Sequence, residues 1–230
     1  EGTHRVAVDL FTWDPARGVL DSVHALPGRD LPQPVTARGP SGTVRLSRDF
    51  VAAVFPDGVY HGSQDAAGIV LRDVALRVRD TVAAVAASEA VTSEARAAFE
   101  AMMEDDAHVP AGGVGPIFSD AYAPAMPTYG DLIAGDDGRL WVQDPIRPGR
   151  YPLVWTAYED GRATARVELP PRFFPFEFGP RRVLGVSSDP TGVERVQLWA
   201  LVPGTLPGVE LPPRDAEAPN VSRCGPWGSR

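Results

Sequence analysis

The 230-residue chain contains no lysine: its 22 basic residues are all arginine, set against 30 acids, for a formal net charge of -8. An acidic balance with no basic stripe excludes a surface that tracks phosphates, so no nucleic-acid partner is expected. Beyond that it describes a solvated, self-repelling surface. Cysteine is almost missing. Cys224 stands alone in a Pro/Gly-rich tail, so no intramolecular disulfide and no CxxC or Cys/His metal set can form, and its plain reading is an inert thiol. Asparagine also occurs once, at Asn220. No run of 18 apolar residues is present, which leaves no transmembrane segment in this sequence. There is no initiator Met, and Glu1 opens almost at once into HRVAVDLFTWD. The chain therefore reads as trimmed at its N-terminus, by processing or fragmentation.

Proline and glycine are plentiful instead. The 24 Pro and 23 Gly make up about a fifth of the chain, well above the usual share of roughly 12%. Such punctuation favours many short elements joined by turns, hence a β-rich fold. Alternation and turn residues divide the chain into strand pairs: 5–14 with 19–27, 50–55 with VYHGS, a single strand over 68–78, 130–135 with RLWVQD, 151–158 with ATARVELP (163–170), and 181–188 with 193–201. Turns beginning at Asp14, Asp57, Asp137, Asp160 and Asp189 recur between them. Asp bonds its own backbone through its side chain, and Gly takes positive φ without steric cost. Two strands, in DSVHALPGR (21–29) and ARVELPPR (165–172), end in Leu-Pro, where Pro stops the ladder.

The stretch GDDGRLWVQD (135–144) raises the question of an acidic metal loop. A calcium loop needs Asp-x-Asp-x-Asp-Gly with a later Glu. The stretch lacks that pattern and reads as one more hairpin turn, with solvated acids and Trp141 as the anchor of the next strand. One segment breaks the rhythm. TVAAVAASEAVTSEARAAFEAMMEDD (81–106) is Ala- and Glu-rich without Gly or Pro and predicts a helix, capped at Thr92 or Ser93 and running to about Glu104. Ala95, Ala98, Phe99 and Met102 follow helical spacing along it. The segment 107–129 reads as a loop, and the tail beyond 203 as disordered or loosely draped. Asp57 and Asp137 are 80 residues apart; without an insertion over 81–127 the gap is 33, near the roughly 40–45 residues of a four-stranded propeller blade.

Three stretches, YGDLIAGDDGRLWVQD (129–144), WTAYEDGRATARVELPPRF (155–173) and RRVLGVSSDPTGVERVQLWAL (181–201), together resemble bacterial six-bladed β-propeller proteins of the NHL-like, TolB-like group. The likeness is good over 129–203 and fair over 48–80; at 1–30 only the hairpin and its Leu-Pro ending fit. The motifs that carry it build blades and specify no chemistry. The resemblance implies an all-β propeller of the six-bladed type, incomplete at the N-terminus, with strands for about three and a half blades. Residues 1–203 would form the blades, with a helical insertion at about 81–127, and 204–230 a disordered tail. It also implies an extracytoplasmic protein, whether periplasmic, an outer-membrane lipoprotein or secreted.

Candidate chemistry is sparse. His4, His24, His61 and His108 sit in unrelated contexts, without two ligands spaced on one element, and read as ordinary surface or core histidines. Asp9, Asp131, Asp144 and Glu177 are acids that could face a central channel. Propeller enzymes of the gluconolactonase and paraoxonase type hold a divalent cation there with Glu, Asn and Asp, and the cation polarises a lactone carbonyl or activates water. With Asn220 the lone asparagine, that ligand set would have to come from earlier blades. GSQDAAG (62–68) and GVSSDPTG (185–192) lack the G-x-S-x-G of a nucleophile elbow. GPSGT (39–43) is too short for a phosphate loop and has no Lys. Trp13, Trp141, Trp155, Trp199 and Trp227 read as core and blade-stacking residues. The helix is the strongest functional candidate, as a lid or partner surface; its plainer reading is that it packs on a blade side. The expectation is a non-catalytic propeller scaffold of the bacterial cell envelope. It would bind an unknown small-molecule or protein ligand, with no cofactor, no metal and no assigned catalytic residue. The alternative is a divalent-metal-dependent lactonase-like hydrolase with its site largely in earlier blades.

Overall fold

The structure is a computed structural model that describes residues 3–32, 43–65, 68–82, 87–105, 118–145, 147, 153–170, 173–189, 193–203 and 220–226. The fold is all-β: sixteen strands and one helix lie among the described residues. The chain divides into two compact units, Glu1–Gly130 with Pro145–Gly149, and Asp131–Asp144 with Arg150–Arg230.

The first unit opens on a long hairpin, β1 (Thr3–Asp14) and β2 (Gly18–Pro32). Asp14 makes the turn as its sequence predicts: its Oδ1 accepts the Ala16 and Arg17 amides at 2.7 and 3.1 Å. A short β3 (Thr43–Arg45) follows. Then comes a four-stranded antiparallel meander in chain order: β4 (Val51–Phe55), β5 (Gly58–Gly62), β6 (Ile69–Asp73) and β7 (Val78–Val82). The single strand expected over 68–78 is thus two strands. No Gly or Pro marks the break. Asp73 makes it, its Oδ1 accepting the amides of Ala75 and Arg77 at 2.9 and 3.0 Å, while Leu76 takes a left-handed φ of 57°.

Helix α1 covers Ser93–Asp105 only, so the expected helix over 81–106 is too long at its start. Residues 81–82 belong to β7, and Ala90 bridges to Ala125. Thr92 is the cap, its Oγ1 accepting the Ala95 amide at 3.1 Å. The supposed loop at 107–129 also contains a strand, β8 (Phe118–Tyr122), which pairs with β3 in parallel; residues 106–117 are outside those described.

The second unit holds two further meanders in one eight-stranded sheet. The first is β9 (Leu132–Ala134), β10 (Leu140–Gln143), β11 (Leu153–Glu159) and β12 (Arg162–Leu169). The second is β13 (Phe173–Gly179), β14 (Arg182–Ser188), β15 (Glu194–Pro203) and β16 (Asn220–Pro226). They join through a parallel β12–β16 pairing, while the Asp136 amide donates to Phe178 O at 2.8 Å and brings the end of β9 beside β13. The core lies between the two: Trp155, Ala157, Val167 and Leu169 from one side, Phe173, Phe178, Val183 and Leu201 from the other. Trp141 stacks on Phe178 with centroids 4.1 Å apart.

The β11–β12 turn shows why Asp-Gly is needed, since Asp160 and Gly161 both have positive φ, 49° and 71°, as a tight hairpin turn demands. In the second unit two strands went unread in the sequence. β13 contains Pro175, normally a ladder breaker, but it is an end strand of its sheet and a bulge between Pro175 and Glu177 absorbs the misfit. β16 lies in the tail expected to be disordered, and Cys224 sits opposite Leu201 within it; 204–219 and 227–230 are not described. No closed propeller is detected among the described residues.

Candidate functional site

Two of the predicted candidates, Asp9 and His24, meet on one hairpin together with Ser22, a residue the sequence did not single out; the other candidates whose side chains are described are held by neighbours. On the opening hairpin, β1 supplies Asp9 and β2 supplies Ser22 and His24. Ser22 Oγ lies 2.8 Å from His24 Nε2, and His24 Nδ1 lies 3.2 Å from Asp9 Oδ2. A carboxylate only accepts, so Nδ1 carries a proton, and in the neutral imidazole Nε2 is then the acceptor that faces the Ser22 hydroxyl. The other oxygen, Asp9 Oδ1, accepts the Ala25 amide at 2.9 Å. That bond, followed by the one to His24, holds the Asp9 carboxyl below its ordinary value.

The strand geometry explains the grouping. Leu10 pairs with Val23 and Val8 with Leu26, with one register shift between them, where Asp9 of β1 faces both His24 and Ala25 of β2. The surplus residue on β2 is accommodated by Ala25 at a left-handed φ of 57°, which turns its amide toward Asp9. Phe11 meets the His24 ring edge-on, centroids 5.7 Å apart. The array is open: the His24 and Asp9 side chains are 61% and 43% exposed. Sequence reading placed Asp9 among channel acids and His24 among plain histidines. The x-Ser-x-His alternation puts both side chains on one strand face, and that was the available signal. The partner acid comes from a bulge that no local pattern announces.

His61 is the opposite case. It is buried on β5, stacks on Phe50 with centroids 5.6 Å apart, and its Nε2 accepts from Arg72 Nε at 2.8 Å. Burial, then the Arg72 charge, lowers its pKa to about 4, so it is a neutral core histidine. His4 has a described backbone in β1 only, and His108 lies outside the described residues.

The acids expected near a channel are spoken for singly. Asp144 pairs with Arg166 and accepts Thr156 Oγ1 at 3.2 Å; burial pushes its carboxyl up, and Arg166 opposes that push. Glu177 pairs with Arg182 at 3.1 Å. Asp131 Oδ1 accepts the Leu132 amide at 2.8 Å. No group of three His, Cys, Asp or Glu able to hold a metal is found among the described residues. Of the three acids in the stretch 135–144, only Asp136 is solvent-facing. Asp137, read as solvated, has a side chain 7% exposed and paired with Arg139 at 2.5 Å. Of the tryptophans, Trp141 and Trp155 are core as expected, whereas Trp13 is 66% exposed near the hairpin tip and Trp227 is outside the described residues.

The helix docks through Phe99, which meets Tyr122 of β8 edge-on at 6.4 Å. Arg96 lies over the same Tyr122 ring at 4.9 Å, and Glu100 accepts the Tyr122 hydroxyl at 2.7 Å. These contacts hold the helix against β8. No helix among the described residues is long and apolar enough to cross a membrane. Comparison of the chain with family models, with curated proteins and with solved structures finds no match.

Proposed function

We propose that this chain is a propeller-type binding scaffold of the bacterial cell envelope, whose four-stranded meanders hold a protein ligand and carry no chemistry themselves. The observation behind this reading is the repeat. β9 begins at Leu132 and β13 at Phe173, 41 residues later, and each opens a four-stranded antiparallel meander, the period of a propeller blade. β4 begins at Val51, 81 residues before β9, close to two such periods. Blade-like repeats bury their faces on their neighbours, as Trp141 and Phe178 do here.

The outward face of β13–β15 supports the binding half of the proposal. Phe174 pairs with Val186 and Val186 with Val196, and Leu184 pairs with Leu198, so these side chains share one face. Phe174, Val196 and Leu198 are exposed on it. A contiguous apolar sheet face marks an interaction surface. The test is recovery of partners from an envelope extract by the wild-type chain and by a Phe174→Ser/Val196→Ser variant. The expected result is a defined protein retained by the wild type and lost from the variant at unchanged melting temperature. Recovery of nothing, or of the same proteins by both, overturns the reading.

A further inference from the structure

The hairpin array Ser22–His24–Asp9 has the connectivity of a nucleophilic relay, and nothing in the scaffold reading requires it. We propose that Ser22 is an activated nucleophile that accepts acyl groups from activated esters, with His24 as general base and Asp9 as the group that orients it. The geometry meets the three conditions for such a relay: nucleophile and base within hydrogen-bond reach, the base held by a third group, and the correct imidazole nitrogen facing each. The spacings are 2.8 Å from Ser22 Oγ to His24 Nε2 and 3.2 Å from His24 Nδ1 to Asp9 Oδ2. Asp9 is itself fixed by the Ala25 amide and His24 by the Phe11 ring edge, so two of the three members are oriented by the hairpin.

The reaction proceeds in two balanced steps. Ser22 Oγ bonds to the ester carbonyl carbon as its proton passes to His24 Nε2; the carbon–oxygen bond to the leaving group then breaks, and the departing alcohol takes that proton. Water next attacks the acyl-serine, giving a proton to His24. The carboxylic acid leaves, and the proton returns to Ser22. Asp9 stays ionised throughout and stabilises the imidazolium each time it forms.

Exposure sets the substrate class. An open site leaves the developing oxyanion to water, and losing one preorganised donor costs roughly 10²–10³ in rate. The site therefore suits esters whose leaving group departs readily, such as aryl esters and thioesters, and not amides. The same openness admits a large acyl donor and supplies the water for the second step.

The experiment treats the full chain with a fluorophosphonate and, separately, with p-nitrophenyl acetate, and maps the modified residue by peptide mass. The expected outcome is modification at Ser22, with a nitrophenolate burst reduced at least tenfold in Ser22→Ala and in His24→Gln, and less in Asp9→Asn. An unmodified Ser22 in the folded wild-type chain overturns the proposal. So does a Ser22→Ala variant that keeps the burst, because the nucleophile would then be His24 or another group. Circular dichroism of each variant establishes that the exposed substitutions leave the fold intact. The outcome is independent of the scaffold reading, whose own test uses residues of the other unit.

Discussion

Each of the two units is held together internally, and by different means. The second is an aromatic and aliphatic core: Trp141, Trp155, Phe173 and Phe178 with Val167, Leu169 and Val183, all buried between two meanders. The first buries apolar residues too, Ile69, Val82 and Tyr129 among them, but its segments between and beside the strands are tied by polar groups. Arg48 grips Asp30 in a fork, Nε to Oδ2 at 3.0 Å and Nη2 to Oδ1 at 3.1 Å. Arg5 reaches Gly28 O, Ser63 O and Asp65. Gln64 is satisfied on all sides: its amide donates to Tyr129 Oη at 3.0 Å, its Nε2 to Gly130 O at 2.8 Å, and its Oε1 accepts the Asp49 amide at 2.7 Å. Gly62 lies against the same tyrosine, and a Cβ there would overlap the Tyr129 hydroxyl. Repeats stack through apolar faces, while a bulged stretch of β2 at 27–30 and the segments 48–50 and 62–65 are fixed by directional bonds, because they offer no periodic face to bury.

The largest effect that would break this comparison comes from Phe178. It is fully buried under Trp141 and beside Trp155. Phe178→Ala removes the ring between two indoles and is expected to cost about 4 kcal/mol, as transfer and cavity terms add. Denaturant unfolding followed by tryptophan fluorescence measures it. A cost below about 1 kcal/mol would mean that the aromatic stack is not what holds the second unit. The matching probe of the first unit is Asp30→Ala. Asp30 has a side chain 1% exposed against Arg48, and removing it strands a guanidinium, an expected cost of about 3 kcal/mol. Hydrogen exchange should show the loss in β4 and β5. If β10 and β11 lose protection equally, the two units do not differ in the way described.

The same contrast explains what could be read from the sequence. Hairpins turned by Asp-Gly were legible, because turn chemistry is local and the residues that make it are adjacent. The strand at β13 was hidden by Pro175, and the break after β6 by the absence of Gly or Pro, since Asp73 bonds two amides with one side chain. The polar knot around Gln64 was invisible: its partners are Asp49, Tyr129 and Gly130, up to 66 residues away, and nothing periodic links them. The relay at Ser22 was half visible. Its serine and histidine alternate on one strand, whereas Asp9 reaches them through a register shift set by tertiary pairing. Trp13 failed for a related reason: strand position was legible, but a two-stranded hairpin leaves a face that no second layer covers.

The smallest of these effects, and the most selective, is acid sensitivity through His61. All four histidines belong to the first unit and none to the second. His61 has a folded pKa of about 4 against an ordinary 6.5, chiefly because it is buried. Above pH 6.5 both folded and unfolded chains hold it neutral, and the stability tied to it is fully present. Between 6.5 and 4 the unfolded chain binds a proton that the folded chain does not, so stability falls with falling pH. Below 4 both states are protonated and this loss stops. Protection factors of β5 and β6 are therefore expected to drop across pH 6.5 to 4, while those of β10 and β11 hold. His61→Gln should flatten the slope, since a glutamine can still accept from Arg72 and does not titrate. A slope unchanged by that substitution would assign the sensitivity to the carboxylates instead, and the polar unit would then be acid-labile through its ion pairs and not through the buried His61 imidazole.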